Sequence, residues 1–93
     1  MAAATVLVVE DDPTILQLLE VNFEMEGFTV VRAEDGLLGL EAARSKRPDV
    51  IVSDVMMPNM SGLEMVSELK ADPDTAGIPV ILLSAKAQGS DVR

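Results

Sequence analysis

The chain alternates between short apolar runs and longer stretches in which apolar residues recur every three or four positions. Thr5 to Val9 (TVLVV) is β-branched and almost wholly apolar, as suits a strand covered on both faces. Asp12-Pro13 then reads as an N-cap followed by proline at the first helical position. Ile15, Leu16, Leu18, Leu19 and Phe23 continue at helical spacing, and Gly27 is placed to end that helix as a left-handed cap. Phe28 to Val31 predicts a second strand. Asp35 is positioned to cap a second helix carrying Leu37, Leu38, Leu40, Ala42 and Ala43. Lys46 and Arg47 suit the negative C-terminal end of that helix, and Pro48 stops it.

Val50 to Ser53 predicts a third strand that runs into Asp54. A loop, Val55 to Met60, follows. Ser61-x-x-Glu64 is a capping box opening a third helix, with Leu63, Val66 and Leu69 on one face. Asp72 to Gly77 is a polar turn region, and Pro79 leads into a fourth strand, Val80 to Leu83, ending at Ser84. Ala85 to Arg93 reads as a loop entering a fourth helix. The pattern is βαβαβαβ, which predicts an α/β fold with a parallel sheet and right-handed crossovers. All 93 residues fit one domain, since two would need roughly 200 or more.

Composition narrows the chemistry. Apolar residues are 48% of the chain, rich enough for a packed core. Sixteen acidic against seven basic side chains give a net charge of −9. That argues against direct nucleic-acid binding, which needs clustered Lys and Arg. There is no Cys and no His, so disulfides, thiolate metal sites and the usual general base are excluded. The apolar runs are far shorter than a membrane span of roughly 20 residues. The N-terminus Met-Ala-Ala-Ala-Thr lacks the basic flank of a secretory signal, and the expected location is cytoplasmic.

In parallel sheets, ligand sites lie beyond the carboxyl ends of the strands, where strand order reverses. Strand 1 ends in Glu10, Asp11 and Asp12, strand 3 in Asp54 and strand 4 in Ser84. If those strands are neighbours, the polar ends converge. Clustered carboxylates repel strongly, and a hard divalent cation such as magnesium relieves the repulsion. Each residue also has an ordinary reading: helix cap, turn former or strand-end hydroxyl. Met56, Met57 and Met60 read as packing and loop anchors. The coincidence of three strand ends carries the site.

The segments LVVEDD (7–12), SDVMMPNMSG (53–62) and IPVILLSAK (78–86) together resemble the receiver domain of two-component response regulators, in that family's order and spacing. The resemblance covers essentially the whole chain. It implies a flavodoxin-like, doubly wound parallel sheet of about four strands in the order 2-1-3-4. It implies that Asp54 is the phosphoryl acceptor and that Glu10 and Asp11 hold Mg²⁺, with Asp11 the direct ligand. The Met56 backbone carbonyl would be a further ligand, and the Ser84 hydroxyl would hydrogen-bond the phosphoryl group. Pro58 and Gly62 would shape the loop, Asp12 would be the helix cap, and Met56 and Lys86 would tune hydrolysis of the acyl phosphate. The implied donor is a phosphohistidine on a sensor histidine kinase or phosphotransfer protein. Such a chain is not a turnover enzyme; at most it assists its own phosphorylation and dephosphorylation.

The family's fifth strand, fifth helix and phosphate-pairing lysine find no counterpart before Arg93. The expectation is therefore an incomplete receiver domain over residues 1–93: part of a longer regulator, or a short receiver completed by another chain. Bared strand 4 or the exposed sheet face would favour a homodimer. The competing function is a non-switching interaction or dimerisation module. A phosphatase-type hydrolase would want an acid two residues after the nucleophile, where Met56 stands. A dinucleotide site is excluded, because no G-x-G-x-x-G follows strand 1.

Overall fold

The computed structural model describes residues 3–83. Among them β1 (Thr5–Val9), β2 (Thr29–Ala33), β3 (Val50–Asp54) and β4 (Val80–Leu83) alternate with α1 (Pro13–Met25), α2 (Gly36–Lys46) and α3 (Gly62–Ala71). The strands form one parallel sheet in the order β2-β1-β3-β4. The doubly wound α/β arrangement implied by the family resemblance is thus present.

Why β1 is apolar on both sides follows from its central place. Leu7 and Val9 point to one face, where they pack with Ala33, Leu40, Ala43, Ile51, Met65 and Leu69 beneath α2 and α3. Val6 and Val8 point to the other, against Leu16 of α1 and Val52. Alternation along a strand sends successive side chains to opposite faces, so a strand covered twice has no position left for a polar residue.

The helix ends are set by the residues that the sequence marks. Asp12 and Asp35 cap α1 and α2 through side-chain oxygens, and Ser61 with Glu64 closes the capping box of α3. Gly27 follows α1 at φ 97°, a conformation open to glycine. Arg47, not a glycine, ends α2 in the left-handed region at φ 47°.

Two expectations need correction. β2 begins at Thr29 and runs to Ala33, beyond the predicted Phe28–Val31. Phe28 belongs to the turn: its N–H donates to the Phe23 carbonyl at 3.0 Å, and its ring meets Phe23 edge-on with centroids 5.6 Å apart. On α3 the buried stripe is Gly62, Met65 and Leu69; Leu63 is 60% exposed. On α2, Leu37 and Leu38 are exposed while Leu40 and Ala43 are buried. β4 pairs with β3 and with no other strand among the described residues. Ser84, Lys86 and the expected fourth helix lie outside the described residues.

Candidate functional site

The sheet register brings the acids together. β1 and β3 are neighbours, with Val9 paired to Ser53, so Glu10 and Asp54 leave adjacent strands at the same level. The Glu10 N–H still donates to the Ala33 carbonyl at 3.0 Å, which holds it in the ladder with β2. Its carboxylate accepts the Asp12 N–H at 2.9 Å. Asp12 turns away to cap α1, its Oδ1 accepting from Thr14 N–H at 2.9 Å and Ile15 N–H at 3.3 Å. Asp11 stands between them, half-buried.

Asp54 closes β3 and is 2% exposed; Glu10 is 3% exposed. Asp54 Oδ1 accepts the Val55 N–H at 2.8 Å. Carboxylate oxygens of Glu10, Asp11 and Asp54 all lie within 4.8 Å of one another. Three like charges at that spacing repel in a setting with little water to screen them. The donor set is oxygen only, as magnesium prefers, and a divalent cation would convert the repulsion into attraction. The site residues thus fit the metal the sequence implies.

Next to Asp54 the chain turns sharply. The Gly62 N–H donates to the Val55 carbonyl at 2.8 Å, and a Cβ on Gly62 would overlap the Asp54 carbonyl oxygen. Met57 and Met60 pack against the core beneath α2 and α3. The Met56 side chain is 58% exposed, so it is not the packing anchor expected of it. The Met60 N–H donates back to the Pro58 carbonyl at 2.7 Å, with Asn59 between them at φ 68°. That is a three-residue turn of the rarer, positive-φ kind.

The turn is tied to the start of α2. Asn59 Nδ2 donates to Asp35 Oδ2 at 2.8 Å, while Asp35 Oδ1 accepts the Leu38 N–H at 2.8 Å. A Cβ on Gly36 would overlap the Met60 carbonyl oxygen. The Leu38 N–H first, and the Asn59 amide second, hold the Asp35 carboxyl below the usual aspartate range. The sequence reading missed Asn59. Its signal was modest: an Asn after Pro, a residue type that tolerates positive φ.

Of the sequence-predicted residues, Glu10, Asp11 and Asp54 come together, and Met56 lies in the adjoining loop. Leu83 pairs with Asp54, so strand 4 ends beside the acids, but Ser84 itself lies outside the described residues. A groove of about 630 Å³ between β2 and α2 is lined by Arg32, Leu38, Glu41 and Lys46 among others and holds none of the three carboxylates. The clustered acids mark the stronger site, because they gather three carboxylates that could hold a cation. No helix among the described residues is long and apolar enough to cross a membrane.

Known proteins resemble this chain in sequence and fold. The chain is 44% identical over 82 residues to the probable transcriptional regulatory protein TcrX of Mycobacterium tuberculosis, covering 88% of this chain and 34% of that one. It spans about a third of that regulator's length. The N-terminal domain of a response regulator receiver protein from Methanoculleus marisnigri superimposes with a TM-score of 0.86 at 37% identity, covering 90% of this chain and 68% of that one. The receiver domain of sensor histidine kinase PA1611 from Pseudomonas aeruginosa, solved with magnesium coordinated in its active-site cleft, superimposes with a TM-score of 0.87 at 29% identity, covering 97% and 74%. Residues 6–93 match the family model of the response regulator receiver domain. The acids at the strand ends, the sheet order and this match lead to one conclusion: the chain belongs to the receiver domain family of two-component response regulators.

Proposed function

We propose that the chain accepts a phosphoryl group on Asp54 from a phosphohistidine of a sensor histidine kinase or phosphotransfer protein, and passes on a conformational change. The observation that carries this reading is the gathering of Glu10, Asp11 and Asp54 within 4.8 Å at adjacent strand ends. A carboxylate is a competent nucleophile toward a phosphoryl donor. An Asp54 oxygen attacks phosphorus as the P–N bond of the donor breaks; the imidazole keeps the bonding pair and gains a proton. The product is an aspartyl phosphate. Phosphoryl transfer asks mainly for in-line positioning, and pairing with Leu83 supports this reading by holding the Asp54 backbone fixed at the strand end.

Glu10, Asp11, Asp54 and the Met56 backbone carbonyl would hold Mg²⁺, and Ser84 would donate its hydroxyl to the phosphoryl oxygens. When bound, the ion supplies charge neutralisation of those oxygens. The chain acts here as the kinase's substrate, not as a turnover enzyme, and reaction with such a kinase puts it in the cytoplasm. Its charge of −9 speaks against its own contact with nucleic acid.

Acetyl phosphate or beryllofluoride, each with Mg²⁺, tests the reading by mass spectrometry. One adduct on Asp54 is expected, absent in Asp54→Asn. An adduct on Asp11 or Asp12 would overturn the assignment. A second reading, a non-switching module pairing with a second copy, is favoured by Ile81, which is 53% exposed on β4. Sedimentation over a concentration series decides it; a monomer throughout removes it.

A further inference from the structure

The loop that carries Met56 must be held still if its carbonyl is to serve a metal. Two of its contacts reach across the fold instead of along the chain. Asn59 donates to Asp35 across 24 residues of sequence. Met60 rests on Gly36, where a side chain would leave no room for its carbonyl. Asn59 is also held at positive φ in a three-residue turn, a conformation that costs energy unless something fixes it. Asp35 is equipped to fix it. One of its oxygens takes the Leu38 N–H and so is anchored to α2; the other is left for Asn59.

We propose that Asp35 and Asn59 form a clamp that positions the 55–60 loop for metal binding. Asp35 is thereby a positioning residue, acting on the ion only through the loop. The proposal rests on the reading of Glu10, Asp11 and Asp54 as the magnesium site. Its logic is that of outer-shell partners in metal sites, which fix the orientation of the groups that ligate. Asn59 stands five residues along the chain from Asp54, and loss of the clamp should leave the carboxylates in place and loosen only the segment beside them.

The test is a Mg²⁺ titration followed by backbone amide shifts, with urea denaturation run on each variant. Asp35→Ser keeps a hydroxyl to cap α2 but has no second oxygen for Asn59. Asn59→Gly keeps the positive φ without strain but has no amide. Both should bind Mg²⁺ about three- to tenfold more weakly, the scale of one lost hydrogen bond, and the Met60 amide should exchange faster. In the double variant D35N/N59D the donor and acceptor change places, and wild-type affinity should return. A general packing defect would not be rescued by that exchange. Asp54→Asn is the control. If it abolishes binding while Asp35→Ser and Asn59→Gly bind as the wild type does, the clamp is refuted and the metal site stands. Failure of D35N/N59D to recover affinity also counts against the clamp. If Asp54→Asn leaves Mg²⁺ affinity unchanged, the metal site and the clamp fall together.

Discussion

The two ends of the sheet use their acids differently. At the amino ends, Asp49 accepts the Thr5 N–H at 2.7 Å. It is a single carboxylate joined to a single donor that β1 would otherwise leave to water. At the carboxyl ends, Glu10, Asp11 and Asp54 crowd within 4.8 Å. Two of these also accept a local N–H, from Asp12 and Val55, so hydrogen bonding does not distinguish the ends. Company does. One acid with one donor strengthens a fold; three acids together repel, and a bound cation would relieve the repulsion. The amino end is built for stability, and the carboxyl end gives some of it up.

The largest effects should come from changing the charge at the crowded end. Without metal, Asp54→Asn should raise stability by roughly 1–3 kcal/mol, the order of one like-charge pair at this spacing in a partly screened site. Mg²⁺ at a hundred times its dissociation constant should stabilise the wild type by about 2.7 kcal/mol, and the variant hardly at all. Urea midpoints with and without Mg²⁺ measure both. Should Asp54→Asn lose stability in metal-free buffer, the repulsion argument is wrong and the two ends are alike.

How much of this contrast could be read from the sequence depends on the distance over which each feature is decided. Caps are local, so Asp12, Asp35, Ser61 and Gly27 were legible from neighbours a few residues away. β1 was legible because burial on both faces removes every polar choice. The order β2-β1-β3-β4 was not legible from the pattern; it came from resemblance, and with it the meeting of Glu10 with Asp54. The stripe of α3 was misjudged because Leu63 looks more apolar than Gly62. Yet α3 packs through Gly62 and Met65, and the latter's sulfur lies close to Gly39, where α2 has no side chain. In β2, the charge of Arg32 concealed the strand's end; that side chain reaches out to Glu20 at 2.9 Å. The Asp35–Asn59 bond spans 24 residues, and no local rule announces it.

Backbone capping should give smaller and strictly structural effects. Asp49→Ala at the amino end and Ser61→Ala at the start of α3 each remove an acceptor for a backbone N–H. Each is expected to cost about 1 kcal/mol. Asp49→Ala should leave Mg²⁺ affinity untouched, since it stands at the opposite end of the strands. A change in metal binding in that variant would show that the two ends communicate through β1 and β3, and the contrast between them would have to be redrawn.

The smallest effect lies between the two ends in character. Asp35 is a capping acid like Asp49, yet it also supports the loop beside the crowded site. Its carboxyl is held below the usual aspartate range, chiefly by the Leu38 N–H and then by Asn59. The folded chain therefore binds this proton less readily than the unfolded chain does. Stability from Asp35 is complete above the ordinary aspartate value, about pH 4, and is lost as the pH falls toward the lower folded value. Asp35→Ser keeps an acceptor for the Leu38 N–H but has no second oxygen for Asn59 and no group that titrates in this range. It should be less stable than the wild type at pH 6, and the gap should narrow as the pH drops below about 4. Urea midpoints at pH 6, 4 and 3 read the gap directly. Because the pair is partly exposed, the effect should be modest and smaller still in salt. A gap that widens on acidification would mean that the folded state favours the protonated acid. The hydrogen bonds of Asp35 would then not be what holds its charge, and the clamp would lose its anchor.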